Sequence, residues 1–182
     1  MRRRWTDSGP FRRTNETLAR SATTETRIGL GYDIHRLVEG RLLVLAGVRI
    51  DHPRGLLGHS DADVVLHAIT DAMLGAAGLP DIGELFPDTD PAYRDADSRE
   101  LLLEAMRRVR AGGFEPGNID VVIHAEAPKL SLYKPRMAGS IATLVGLPPD
   151  RVSVKAKTNE GLGPIGKGEA IACSAVASLT GG

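Results

Sequence analysis

The chain has 182 residues, enough for one domain with a proper hydrophobic core and too few for two comfortable ones. Its 23 basic and 23 acidic residues cancel, which argues against a nucleic-acid binder held by non-specific phosphate contacts. A single cysteine, Cys173, excludes an internal disulfide framework and a cysteine-rich zinc module, and no apolar run reaches the length a membrane helix needs.

The neutral total hides an asymmetry. Residues 1–27 hold seven Arg against Asp7, Glu16 and Glu25, and the remainder carries the compensating acidic excess. This stretch is rich in Ser and Thr and lacks an apolar period. Residues 1–26 therefore read as a disordered leader in a cytoplasmic protein, with 27–180 as the domain. An Arg- and Ser-rich transit peptide for a plastid-type organelle is the competing reading; three acids and no amphipathic pattern weigh against it.

Along the domain, Arg27–Tyr32 reads as a short strand ending at Gly31. Arg41–Leu45 and Val48–Ile50 read as a hairpin turning at Ala46-Gly47. Residues 53–58 read as loop. The spacing of Val64, Val65, Ala68, Ile69, Ala72, Met73 and Ala76 predicts a helix over 61–78, capped by Ser60 and stopped by Gly78 and Pro80. Residues 81–96, rich in Asp and Pro, read as loop with one short turn of helix. A second helix spans Ser98–Ala111, with late arginines suited to the helix dipole. Ile119–Ala127 alternates as a strand, Leu132–Gly146 reads as a third helix, and Arg151–Ala156 as a strand. A glycine-rich loop over 159–168 leads into a final strand, Glu169–Leu179. Strands and helices mix without a strict βαβ repeat, so the expected class is α+β, one sheet covered by helices on one face.

Five segments can carry chemistry. In Gly31-Tyr32-Asp33-Ile34-His35, residues two apart point to one side, so Asp33 and His35 project together as two ligands of one metal should. A solvated Asp-x-His pair is the plainer alternative. On the first helix, Asp63, His67 and Asp71 are four apart and share a face beside the apolar stripe. His67 is then either a metal ligand oriented by a carboxylate one turn away, or a buried histidine in a structural hydrogen bond with Asp63 or Asp71. Asp33, His35 and His67 together form a two-histidine, one-carboxylate set, which suits catalytic zinc with an open position. The acidic segment 79–91 has residues fit to bind hydroxyl groups, or is a solvated loop. Residues 125–130 offer backbone groups for a base and Lys129 for a phosphate. Lys157 and Thr158 can donate to phosphate oxygens, and Glu160 can hold a hard cation. The glycine loop is not a Walker A motif.

The strings GYDIHR, GLLGHSDADVVLHAITDAMLGAAGLPDIGELFPDTDP, DSRELL, APKL and GKGEAIAC run in order across the domain. In them the chain resembles the 2-C-methyl-D-erythritol 2,4-cyclodiphosphate synthase family of non-mevalonate isoprenoid biosynthesis. The resemblance implies an α+β subunit with a single mixed β-sheet and helices packed on one face. It also implies a homotrimer around a central cavity, with active sites between subunits. It places zinc on Asp33, His35 and His67, and a second cation, Mg²⁺ or Mn²⁺, on Glu160. It assigns substrate contacts to His59 and Ser60, to Asp81, Gly83 and Asp88, and to Ala125, Ala127, Pro128, Lys129 and Leu130, with Lys157 and Thr158 at the phosphates. Catalytic roles fall on Thr158, Lys129 and His59. The implied reaction is intramolecular phosphoryl transfer releasing CMP, with no protein nucleophile. Lys167 and Pro164 stand where the family often has Arg and Phe, so an isoprenoid diphosphate in the central cavity is not expected. A turnover-free trimeric scaffold and a zinc phosphoesterase are the competing readings.

Overall fold

A computed structural model describes residues 25–87, 89–90, 93 and 96–181. The leader expected over 1–26 therefore falls almost wholly outside the described residues. Strand β1 (Glu25–Glu39) is far longer than the segment expected to end at Gly31. Gly31 does not turn the chain. It makes room for a helix, and the strand runs on through Asp33 and His35.

The hairpin is as expected: β2 (Leu43–Leu45) pairs antiparallel with β3 (Val48–Ile50). Ala46 and Gly47 form its turn with positive φ at both positions, the geometry that suits a two-residue hairpin loop. The segment read as loop over 53–58 contains β4 (Arg54–Leu56), which pairs with the end of β1 and is too short to show a period. Helix α1 (Val64–Ala77) is capped by Asp63 and not by Ser60: the Asp63 carboxylate accepts from Val65 N and Leu66 N. Gly78, at φ 71°, closes the helix in the left-handed conformation. A short helix α2 (Ile82–Leu85) interrupts the acidic loop.

Helix α3 (Ser98–Ala111) matches expectation, and Arg108 and Arg110 occupy its last turn. Strand β5 (Phe114–His124) begins earlier than the alternation suggested. Helix α4 (Lys134–Val145) starts with Pro135 in its first turn, where the missing N–H costs nothing. Strand β6 (Val152–Lys157) follows. A single-turn helix α5 (Gly163–Gly166) lies within the glycine loop, and β7 (Ala170–Gly181) ends the described chain.

The main sheet has five strands in the order β4-β1-β7-β5-β6, and the hairpin forms a separate two-stranded sheet. Neighbours are antiparallel except β5 and β6, which run parallel. The segment joining that pair carries α4, as a parallel pair requires a crossover. The fold is thus α+β with a mixed sheet, and α1 packs on β1 and β7.

The close fit of α1 to β1 is written in small residues. Gly29 and Gly31 face the helix, where Ala68, Ala72 and Ala76 lie. A Cβ built on Gly29 would stand 1.9 Å from the Ala72 carbonyl oxygen. Alternation along β1 then places Asp33 and His35 on this same inner side, further along under the helix start. The opposite side of β1 carries Ile28, Leu30, Tyr32 and Ile34, exposed at 72%, 71%, 55% and 43%.

Candidate metal and nucleotide site

Asp33, His35 and His67 converge. His67 lies one turn into α1, its N–H bonded to the Asp63 carbonyl. The Asp63 carboxylate also accepts from Ala46 N at 2.8 Å and Gly47 N at 2.6 Å, which ties the helix start to the hairpin turn. The Asp33 Oδ2 atom lies 2.9 Å from His67 Nδ1 and 2.9 Å from His35 Nε2. The two ring nitrogens are 3.2 Å apart.

Burial works to raise the Asp33 carboxyl, but hydrogen bonds from His35 and His67 override it and hold it well below the usual carboxylate range. His67 shows the converse balance. Burial disfavours its charged form, yet the bond to Asp33 leaves its proton affinity above the ordinary histidine value. Among the described residues this is the one group of His, Cys, Asp or Glu able to hold a metal ion, with ligand atoms within 4.8 Å of one another.

The donor set fits zinc. Two imidazole nitrogens and one carboxylate oxygen are ligands it takes, and a tetrahedral ion with bonds of about 2.0–2.2 Å separates its donors by roughly 3.3–3.6 Å. The observed spacings of 2.9 to 3.2 Å are near that range. All three side chains are half-buried, so a fourth direction stays open toward the adjoining cleft.

The orienting carboxylate expected from Asp63 or Asp71 is not what holds His67. Asp63 is fully buried as the helix cap, and Asp71 accepts from Ile82 N at 2.9 Å, anchoring α2. The Nε2 side of His67 meets hydroxyls instead: Ser98 Oγ at 2.9 Å and Ser60 Oγ at 3.2 Å. Ser98 is buried at the start of α3, and it was missed as a functional residue. Its one sequence signal is its place in the DSRELL string.

A cleft of about 250 Å³ adjoins the cluster, lined by His35, His59, Ser60, His67, Gly83 and apolar Ile82, Phe86, Tyr93 and Leu101. His59 is exposed, Ser60 is buried, and Arg41 Nη2 donates to the Ser60 carbonyl at 2.6 Å. Asp81 stands at the cleft's α2 end, where its carboxylate accepts from Glu84 N as that helix's cap. Asp88 lies outside the described residues.

The other candidate residues gather in a second cavity of about 390 Å³. It is lined by Ala125, Pro128, Lys129, Leu130, Lys157 and Thr158, with Glu126, Ser131, Lys134 and Ala156 completing the wall. The Ala125 N–H donates to the Lys157 carbonyl at 2.9 Å, joining the two contributing segments. Ala127 is exposed beside this cavity and does not line it. Lys134, a further cation here, was not singled out from sequence.

Glu160 does not join the cluster of Asp33, His35 and His67. It accepts from Thr158 Oγ1 at 2.8 Å beside the second cavity. Strand register explains why both cavities open at one end of the sheet. His35 pairs with Ile171 and His124 pairs with Ala172, so β7 holds the ends of β1 and β5 level.

Cys173 sits opposite Asp33 in β7, fully buried. Burial raises its thiol above the ordinary value, so it is no activated nucleophile.

A model of the YgbB family matches residues 26–180. A 2-C-methyl-D-erythritol 2,4-cyclodiphosphate synthase from Bordetella avium is 57% identical over 157 residues, covering 86% of this chain and 97% of the relative. Among solved structures, the bifunctional IspDF from Campylobacter jejuni superposes with a TM-score of 0.85 at 47% identity. That match covers 88% of this chain and 43% of the longer bifunctional one. A cyclodiphosphate synthase with CDP bound gives a TM-score of 0.78 at 45% identity, covering 84% of this chain and 99% of that one.

Proposed function

The chain belongs to the YgbB family, the 2-C-methyl-D-erythritol 2,4-cyclodiphosphate synthases, and from that premise we propose that it cyclises 4-diphosphocytidyl-2-C-methyl-D-erythritol 2-phosphate with release of CMP. The observation that carries the reading is the convergence of Asp33, His35 and His67 beside the His59-Ser60 cleft. The 2-phosphate oxygen of the substrate attacks the β-phosphorus, the bond to the CMP oxygen breaks, and CMP carries the electron pair away. This makes the enzyme a phosphorus-oxygen lyase.

Asp33, His35 and His67 would hold a Zn²⁺ ion. When bound, the ion supplies Lewis-acid stabilisation of charge on a phosphate oxygen. Glu160 would hold the second cation, Mg²⁺ or Mn²⁺, on the diphosphate. The chain's own residues then position the substrate. Lys129 and Lys157 offset negative charge where the diphosphate lies, and Thr158 Oγ1, which donates to Glu160 in the free chain, would turn that proton to a diphosphate oxygen once Glu160 holds the cation. Ala125, Pro128 and Leu130 shape the cytosine and ribose subsite, with Ala127 at its exposed rim, in keeping with the CDP-bound relative. His59 and Ser60 contact the reacting phosphate, and Asp81, Gly83 and Asp88 contact the polyol hydroxyls. No protein nucleophile takes part; catalysis comes from folding the substrate on itself and stabilising charge.

The functional unit in this reading is a homotrimer. Ile28, Leu30, Tyr32 and Ile34 leave one side of β1 apolar and exposed, and Val176 of the neighbouring strand adds to it at 42% exposure. Exposed contiguous apolar surface of this kind marks an interaction face. Three copies joined there enclose a central cavity and set the metal cleft of one subunit against the nucleotide cavity of the next. The domain is 27–180, the leader 1–26 plays no part in the chemistry, and the enzyme works in the cytoplasm. No described helix is long and apolar enough to cross a membrane.

Phosphorus NMR of the protein with the cytidyl substrate, Zn²⁺ and Mg²⁺ tests the reading. A cyclic diphosphate and CMP are expected, and neither from His67→Ala. Unchanged substrate with zinc bound would point to an inactive scaffold, and inorganic phosphate to a phosphoesterase.

A further inference from the structure

Behind His67, on the side away from Asp33 and His35, lies a short chain of polar groups that the reaction scheme does not use. His67 Nε2 is 2.9 Å from Ser98 Oγ. Ser98 Oγ in turn donates to Asp61 Oδ1. Ser98 is fully buried, and helix α3 fixes its place.

The direction of each hydrogen bond follows from proton accounting. A carboxylate only accepts, and a serine hydroxyl has one proton to give. Ser98 spends that proton on Asp61. Toward His67 its oxygen can then only accept, so the proton on that side of the ring belongs to Nε2. Ser60 Oγ does not upset this order. It accepts from Ala62 N at 3.0 Å and has Ser98 Oγ at 3.4 Å for its own proton. With Nε2 protonated, the neutral ring that would take a metal has its lone pair on Nδ1. That is the atom 2.9 Å from Asp33 Oδ2 and 3.2 Å from His35 Nε2.

We propose that Ser98 and Asp61 are positioning residues for the metal centre: the relay from His67 Nε2–H through Ser98 to Asp61 fixes the tautomer and the ring angle that present Nδ1 as a ligand. This rests on the metal reading of the cluster. A histidine ligand ordinarily gives its remote N–H to a carboxylate, carbonyl or water, and losing that partner weakens metal binding by about 10- to 100-fold. Here the carboxylate acts through an intervening hydroxyl. The helix that carries His67 has no carboxylate free for the purpose, because Asp63 and Asp71 serve backbone N–H groups.

The test is zinc affinity by chelator competition, with the His67 imidazole N–H followed by proton NMR in the zinc-loaded protein. In the unsubstituted chain that N–H is expected to be slow to exchange. Ser98→Ala should weaken zinc binding about tenfold or more and bring the N–H into fast exchange. Ser98→Thr, which keeps the hydroxyl, should restore both. Asp61→Ala removes the acceptor at a half-buried loop position and tests the same relay should Ser98→Ala not fold. It should also weaken zinc, because Ser98 is then free to turn its proton toward His67 Nε2 and reverse the chain. Zinc affinity and N–H protection unchanged in Ser98→Ala, or in Asp61→Ala if that is the variant that folds, would overturn the relay alone. An unsubstituted chain that binds no zinc would overturn the metal reading itself, and the relay's role with it.

Discussion

Gly31 of β1 and Ala68 of α1 are in such close contact that a Cβ on the glycine would stand 1.9 Å from the Ala68 carbonyl oxygen. Neither backbone can yield without moving the other. The contact therefore sets the height of the helix above the strand. One residue before Ala68 on the helix, and two residues past Gly31 on the strand, His67 meets Asp33.

Gly31→Ala should push α1 off the sheet. Overpacking of this kind costs about 1–3 kcal/mol, and here the obstacle is backbone, so the upper end is expected. Denaturant unfolding should show the loss. Zinc content after dialysis should fall as well, because the His67 to Asp33 distance of 2.9 Å depends on the same contact. A variant with full zinc content would show that the cluster tolerates helix displacement.

Asp63 holds four backbone N–H groups, from Ala46, Gly47, Val65 and Leu66, with no exposure to solvent. Asp63→Ala leaves buried donors unmet and removes a helix cap, a loss of about 3 kcal/mol or more. Asp63→Asn keeps an acceptor and should lose less. Thermal unfolding of the two variants, compared with the unsubstituted chain, gives the order.

The two cavities should separate in kinetics. Lys129→Ala should raise KM for the cytidyl substrate and leave zinc content at its full value. His67→Ala should lose zinc and product formation together. Zinc loss in Lys129→Ala would show that the cavities are not independent within the subunit.

Leu30→Asp places a charge on the exposed apolar side of β1 while leaving the inner side untouched. Sedimentation should shift from trimer to monomer. Activity should fall with it, since each site draws on two subunits in the proposed assembly. A monomeric variant with full activity would overturn the shared site.

Hydrogen bonds from Arg107 and Arg108 hold the Glu104 carboxyl down, to about 2. A carboxylate with a depressed folded value contributes stability above its unfolded value of 4.5, and that contribution is lost as pH falls toward about 2. The difference in unfolding free energy between the unsubstituted chain and Glu104→Gln should thus be full above pH ~5 and vanish near pH ~2. Both ion pairs reach solvent, so the difference should be small and should shrink with added salt. A difference that grows in acid would contradict the assignment.

Much of this arrangement was legible in the residues. Asp33 and His35 are two apart on a strand, a spacing that projects both to one side wherever the strand ends. The apolar period of α1 put His67 beside the core. Distance was not legible: nothing in a one-dimensional pattern says that β1 lies under α1. Gly31 read as a strand stop because glycine is usually punctuation, when its missing side chain serves a helix contact. Ser60 read as the cap because it precedes the apolar period, yet the chain makes another turn at Ala62, which has positive φ, and Asp63 takes the role. Ser98 was invisible as a partner of His67 because 31 residues separate them and one serine carries no pattern.

Cys173 carries a consequence of its own. Its thiol is buried under α1 in the strand between β1 and β5, and burial keeps it protonated. Reagents that alkylate thiolates must wait for that strand to come away from the helix. With no second cysteine in the chain to compete, the rate of labelling is an intrinsic clock for the opening of the sheet. Ligands that tighten the strands on either side of β7 should slow that clock, whether or not turnover occurs.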